Sequence, residues 1–545
     1  MTRAEKPDKA KTGARARYVY ALVVCALIGF ALYYVLKGND VAITEYNVVH
    51  QPAKIRPDYA GAVVPPNIAP LNFCIEQDGS GYFVKIYSKQ GEPIEIFSKT
   101  SGIEIPARAW HRLLDVNRGQ PLSVDVFVES RSATSSSAVE NKRWSRFDTF
   151  TIEIANEDID SFLVCRKIHP AHGTWRDMGI YQRDLSSFRE SVVLSNGYLK
   201  HGCVNCHTFC GNRTEKMVIG IRSAAYGSSA LLVDGGKVQK IGTKFGYTSW
   251  HPSGRVAAFS VNGVRQIFHS AAGEVRDVID IDSLMAYYLA DSQTVRTAGD
   301  LAQKDRLETY PAWSADGRYL YFCSAPAPWT DRTTIPESFE QIKYDLVRIS
   351  YDLDRDQWGT LESVLSAEQT GLSILLPRIS PDGRWLLFCM CDYGCFPVYR
   401  SSSDLYMMDL DAARQTGEYP YRRLDINSED SESWHSWSSN SRWIAFSSKR
   451  GSGVFTRIYI AYVDENGKVY KPVRLPQKDP MYYDSCLWTY SVPELVAEPV
   501  RVTREKLGRV VRGSRSISIE MPITMATPKA GKLPESQGPW HTERE

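Results

Sequence analysis

The five residues Cys203-Val204-Asn205-Cys206-His207 are the part of this chain best suited to chemistry. Two thiols at this spacing can reach the two vinyl groups on one side of a porphyrin, and the adjoining imidazole can turn inward as the proximal iron ligand. The pattern predicts a single covalent haem c, attached through Cys203 and Cys206 with His207 on the iron. Three other chemistries compete for the same residues. The cysteines can close a disulfide; they can form a redox pair, although no βαβ pattern surrounds them; or they can join Cys210 and His201 around zinc.

A sixth iron ligand has several candidates nearby, namely Met217, Met178, His201, His169 and His172. Met217 is the expected ligand; it lies ten residues after His207, so the chain must cross from one haem face to the other within that span. Gly211 and Asn212 are placed to allow the turn. Arg222 and Arg183 are candidates for the propionates, because a guanidinium grips a carboxylate through two parallel hydrogen bonds.

Covalent haem of this kind is attached outside the cytoplasm, and the start of the chain supplies a route there. Tyr18 to Leu36 is nineteen residues without a charge, long enough to cross a bilayer as a helix. Arg3, Lys6, Lys9, Lys11, Arg15 and Arg17 precede it and only Lys37 follows closely, which keeps the N-terminus in the cytoplasm. The expectation is a single-pass protein of the cell inner membrane with everything after residue 36 in the periplasm. A cleaved signal peptide is the competing reading, but the apolar run is long and no small-x-small cleavage site follows it.

Beyond the membrane the chain divides by composition. Residues 37–66 contain Pro52, Pro57, Pro65 and Pro66 and read as a linker. Residues 67–168 alternate in periods of two, as in Leu122-Ser123-Val124-Asp125-Val126-Phe127-Val128, and predict a small β-sandwich domain. Cys74 and Cys165, on its outermost strands, are a candidate bridge, as are Cys391 and Cys395 further on. A haem-attachment segment follows over 169–225. Residues 226–512 then contain four similar hairpins, beginning at Trp250, Trp313, Ile379 and Trp437, each with a tight turn such as Asp316-Gly317 or Asp382-Gly383. Ser283 to Ala290 reads as a short helix inside an insertion, and Val502, Leu507, Val510 and Val511 have the spacing of a docked helix. The last residues, 513–545, are rich in Pro, Gly, Ser and charge and predict a disordered tail.

The four hairpins resemble the repeats of TolB-like proteins, and the resemblance implies a six-bladed β-propeller. Together with Cys203-Val204-Asn205-Cys206-His207, Trp175 to Leu185, Leu475 to Asp484 and Val492 to Leu495, they resemble a family of exported propeller proteins carrying the haem motif, often labelled cytochrome c biosynthesis or TolB-like. That family also places a methionine just before an arginine, which here corresponds to Met217 and Arg222; where it often has a histidine, this chain has Gly220. The fold class expected is all-β: an N-terminal transmembrane helix, a small sandwich, then the propeller, with the haem segment between them.

A formal charge of +2 gives no reason to expect a nucleic-acid partner, and 43% apolar content is enough to build real cores. No Gly-x-Ser-x-Gly elbow, phosphate loop or His-Glu-x-x-His signature occurs, so an enzyme is the weakest expectation, with haem peroxidase chemistry left open. The leading expectation is an exported monohaem c-type cytochrome that exchanges electrons with a docked redox partner. The alternative is a propeller that binds or assembles a protein or glycan, its haem structural or sensory.

Overall fold

A computed structural model describes residues 43–130, 143–169 and 177–517, apart from 244, 269–275, 328, 330 and 332–334. The expected membrane helix at 18–36, its basic flank, His172 and the tail beyond 517 lie outside the described residues. Among the described residues no helix is long and apolar enough to cross a membrane.

Six four-stranded antiparallel sheets follow one another along the chain and form the blades of a propeller. Blade two begins with Cys203–Cys210, blade three with Thr248–Trp250, blade four with Arg306–Trp313, blade five with Ser373–Ile379 and blade six with Glu432–Trp437. These first strands adjoin one another around a central channel. Blade one closes the ring. Its first strand is the C-terminal Thr489–Val496, hydrogen-bonded to Phe162–Ile168, which pairs in turn with Met178–Asp184 and then Glu190–Ser195. Joining the two ends of the region in one sheet leaves the ring without an open edge there.

The recurring hairpins are the turns between first and second strands. In blade four, Asp316 accepts from Ser314 Oγ at 2.6 Å and from the Arg318 amide at 3.0 Å, fixing the turn. Gly317 sits at φ +75°, and a β-carbon there would lie 2.2 Å from His251 Nε2 of blade three. The turn therefore needs glycine for its conformation and for the close approach of the neighbouring blade.

Several boundaries differ from the sequence expectation. The haem motif is the first strand of blade two, and Phe162–Ser195 builds blade one, so the ring begins before residue 226 and no separate attachment segment precedes it. Arg276–Leu289 is a strand paired with Val256–Phe268, so Ser283 to Ala290 is not a helix. Residues 277–281 and 283–288 are buried, and a strand covered on both faces shows no clean period. The N-terminal region is not a plain sandwich. It combines a seven-stranded mixed sheet, a three-stranded sheet and the helix Ala107–Val116, and its first strand, Tyr46–Pro52, already falls within the stretch read as linker. Its core runs into blade six, where Trp443, Ile458 and Ile460 share one apolar cluster with Val84 and Leu122.

The docked helix forms over Arg504–Arg512. Thr503 caps it, its hydroxyl accepting from the Lys506 amide at 3.2 Å, and Leu507 and Val511 are buried in the core between blades one and two. Thr503→Ala is expected to cost about 1 kcal/mol, the usual worth of an N-cap. Amide exchange over residues 504–512 should quicken while the blades stay protected.

Candidate functional site

The channel holds a cavity of about 450 Å³, within the range of small-molecule sites, whose walls include Cys203, Cys206, His207 and Arg222. Four residues singled out by their chemistry are thus brought to one space. Cys203 is buried and pairs across the sheet with Arg222, whose Nη2 lies 3.7 Å from the sulfur. Cys206 is half-buried, at φ +57°, on a bulge of the strand.

That bulge is shared around the ring. Tyr310, Leu376, Trp434 and Val492, in the first strands of blades four, five, six and one, have φ of +55°, +55°, +44° and +51°, and each sits at an interruption of its strand's register. Positive φ is uncommon for such residues and is held only where the surroundings fix it. Tyr247 takes the corresponding place in blade three, where a β-carbon on the preceding Gly246 would lie 2.2 Å from the Ser260 carbonyl. All six residues line the cavity. Tyr247 packs against Tyr310 at 4.3 Å between ring centroids and against Trp434 at 5.7 Å, so aromatic rings from three blades meet across the channel.

In blades two and six the residue after the bulge is a histidine that turns between blades. His435 of blade six places Nε2 3.1 Å from the Leu387 carbonyl of blade five, while His207 occupies the same slot between blades two and one. His207 faces the carbonyls of Val164 and Val492, yet neither ring nitrogen makes a hydrogen bond. Burial pushes both imidazoles down to about 3, so each is neutral at physiological pH. A buried neutral imidazole whose nitrogens make no hydrogen bond is unusual.

The cavity wall is cationic. Arg166, Arg222, Arg276, Arg378 and Lys449 line it, and among the described lining residues there is no carboxylate. Arg166 donates to Asn205 Oδ1 at 2.8 Å and Ser491 Oγ at 3.0 Å, and Arg378 to Glu494 at 2.8 Å. Of these five only Arg222 was singled out from sequence. For the bulged residues, though not for these cations, a signal exists: each lies three positions before an apolar one, as in Tyr247 and Trp250, Tyr310 and Trp313, or Cys206 and Phe209.

Other expectations are placed differently. Met217 is 1% exposed and packs with Phe209, Val233 and Val164 in the core between blades one and two, on the same face of blade two as His207. Met217 does not line the cavity, so it is not brought to the site. Met178 and His169 do line the cavity. Arg183 is committed elsewhere, donating to the carbonyls of Pro476 and Ser187 at 2.8 and 3.0 Å. His201 is exposed and Cys210 packs toward blade three, so the four residues of the zinc reading are not gathered; no cluster of three or more such ligands occurs among the described residues. Neither Cys74 and Cys165, nor Cys203 and Cys206, nor Cys391 and Cys395 are joined by a disulfide.

No protein-family model matches the chain, and no curated protein matches it in sequence. Solved structures are similar to it only distantly. A luciferin-regenerating enzyme is 10% identical over 58% of this chain and 92% of its own, with a TM-score of 0.32. A puromycin hydrolase mutant is 14% identical over 57% of this chain and 45% of its own, at 0.34. An oligogalacturonate lyase from Vibrio parahaemolyticus is 11% identical over 53% and 85%, at 0.28. Likeness at this level says nothing about what the site does.

Proposed function

We propose that this chain is an exported, membrane-anchored monohaem c-type cytochrome, its haem held in the channel of a TolB-like six-bladed propeller, which exchanges electrons with a docked redox partner. What carries the reading is one observation: Cys203, Cys206 and an unbonded, buried His207 share a cavity whose wall is aromatic and cationic. A haem is flat and largely apolar with two carboxylates, and this wall suits both parts.

The residues take distinct roles. Cys203 and Cys206 would hold a haem through thioethers, and His207 would offer its imidazole to the iron. Arg222 and Arg166 stand in the wall where they would bind propionates, and Tyr247, Tyr310 and Trp434 supply it with packed aromatic surface. Met178, 2% exposed on the wall, would offer the iron a thioether in place of Met217. A haem here supplies one-electron exchange, and a thioether ligand raises its potential.

A reduced-minus-oxidised optical spectrum of protein made with haem-maturation machinery tests the proposal, and absence of covalent haem ends it. The same spectrum sorts the methionines. Met178→Ala is expected to remove the sulfur-to-iron charge-transfer band and lower the potential, whereas Met217→Ala should leave both and cost about 2–5 kcal/mol of stability as a core truncation. The reverse pattern would return the ligand to Met217.

A further inference from the structure

The long second and third strands of blade three, Val256–Phe268 and Arg276–Leu289, carry a polar cluster behind the cavity wall. Asp280 is buried, and its Oδ2 accepts from Asn262 Nδ2 at 2.8 Å. Asn262 itself lines the cavity and also donates to Thr309 Oγ1 at 3.2 Å, while its Oδ1 accepts from Ser260 at 2.7 Å. One amide therefore stands between a buried carboxyl and the channel.

The other carboxyl oxygen, Oδ1, and the buried Tyr344 hydroxyl make no hydrogen bond of normal geometry, although the Ser283 and Tyr344 hydroxyls face the carboxyl. Both residues border a small cavity of about 10 Å³, room for a single water. The groups around the carboxyl are defined. Asp277 and Asp282 share its strand, the former paired with Arg400; Ser283, whose hydroxyl accepts from the Glu308 amide at 3.0 Å, is close by; Tyr344 and Cys395 face it from blades four and five. Burial dominates and raises its pKa to about 7, so a small change in field alters its protonation.

We propose that Asp280 is a proton-binding site coupled to the channel, taking up a proton when the cofactor in the cavity gains an electron. The proposal rests on the haem reading above. An external one-electron donor, the redox partner, supplies the electron; solvent supplies the proton, which ends on the Asp280 carboxylate, so that reduction leaves the local charge unchanged. Ionised Asp280 opposes reduction through a low-dielectric wall, where a charge acts more strongly than in water. Asn262 carries the link because its amide touches both sides.

The test is a redox titration of the haem-loaded full chain at several pH values on either side of the carboxyl's value of about 7. The wild-type potential is expected to fall as pH rises, with an inflection near that value. Asp280→Asn, a neutral isostere, should hold the acidic-limb potential at every pH, and Asn262→Leu should flatten the slope while leaving the carboxyl in place. A pH-independent wild type, or an unchanged slope in Asp280→Asn, overturns the proposal. Loss of the slope in Glu308→Gln alone also overturns it, by moving the site. A haem stain of the same samples separates this failure from failure of the haem reading.

Discussion

Cys206→Ala is expected to abolish two-thioether attachment while leaving the propeller folded. The first half follows from chemistry, since one sulfur cannot make two bonds to two vinyl groups. The second follows from the backbone. Cys206 sits at φ +57° on a bulge that Tyr310, Leu376, Trp434 and Val492 reproduce without a thiol, so the ring does not need sulfur there. Removing one sulfur from a half-buried position facing a cavity leaves little new void, and the stability cost should stay at the low end for core truncations, about 1 kcal/mol. A haem-staining gel reads attachment and limited proteolysis reads the fold. Undiminished covalent haem in the variant would remove the site assignment. Loss of both haem and fold would instead make the haem part of what holds blades one and two together.

Much of the ring could be read from the sequence, and the unread parts have physical causes. Blades three to six announce themselves through local hairpins, each a turn of Asp-Gly type followed by a buried strand. Blade one could not be seen this way, because Thr489–Val496 and Phe162–Ile168 are over three hundred residues apart and nothing local records their pairing. Blade two was hidden by its chemistry. Its first strand carries three cysteines where other blades have ordinary residues, and the motif masks the periodicity it shares, Cys206 three positions before Phe209. The helix Ala107–Val116 had a signal, Trp110, Leu113 and Leu114 at helical spacing, submerged among alternating strands. The cavity's cations were not legible, because Arg166, Arg276, Arg378 and Lys449 come from four blades and only closure of the ring gathers them.

Stability should respond to acid and to base through different buried groups, with opposite signs. His435 has an ordinary value of 6.5 and is held near 3 by burial, so between those values the unfolded chain binds a proton that the folded protein refuses. Its contribution is complete above pH 6.5 and is lost as pH falls, at up to about 1.4 kcal/mol per unit. Glu308 behaves the other way. Its carboxyl is raised from 4.5 to about 8, so the folded protein holds the extra proton, and stability present below 4.5 is lost as pH rises to 8. From 4.5 to 6.5 the two trends oppose each other, and above 6.5 the carboxyl acts without the imidazole. His435→Gln, which keeps a donor for the Leu387 carbonyl, should gain about 2–3 kcal/mol relative to wild type between pH 6.5 and 4.5 and nothing above. Glu308→Gln should gain about 2 kcal/mol relative to wild type between pH 6.5 and 8. Urea denaturation across the pH series measures both. If the wild type and His435→Gln lose stability in parallel below pH 6.5, the imidazole is not buried as a neutral group, and its slot between blades five and six does not exclude protons.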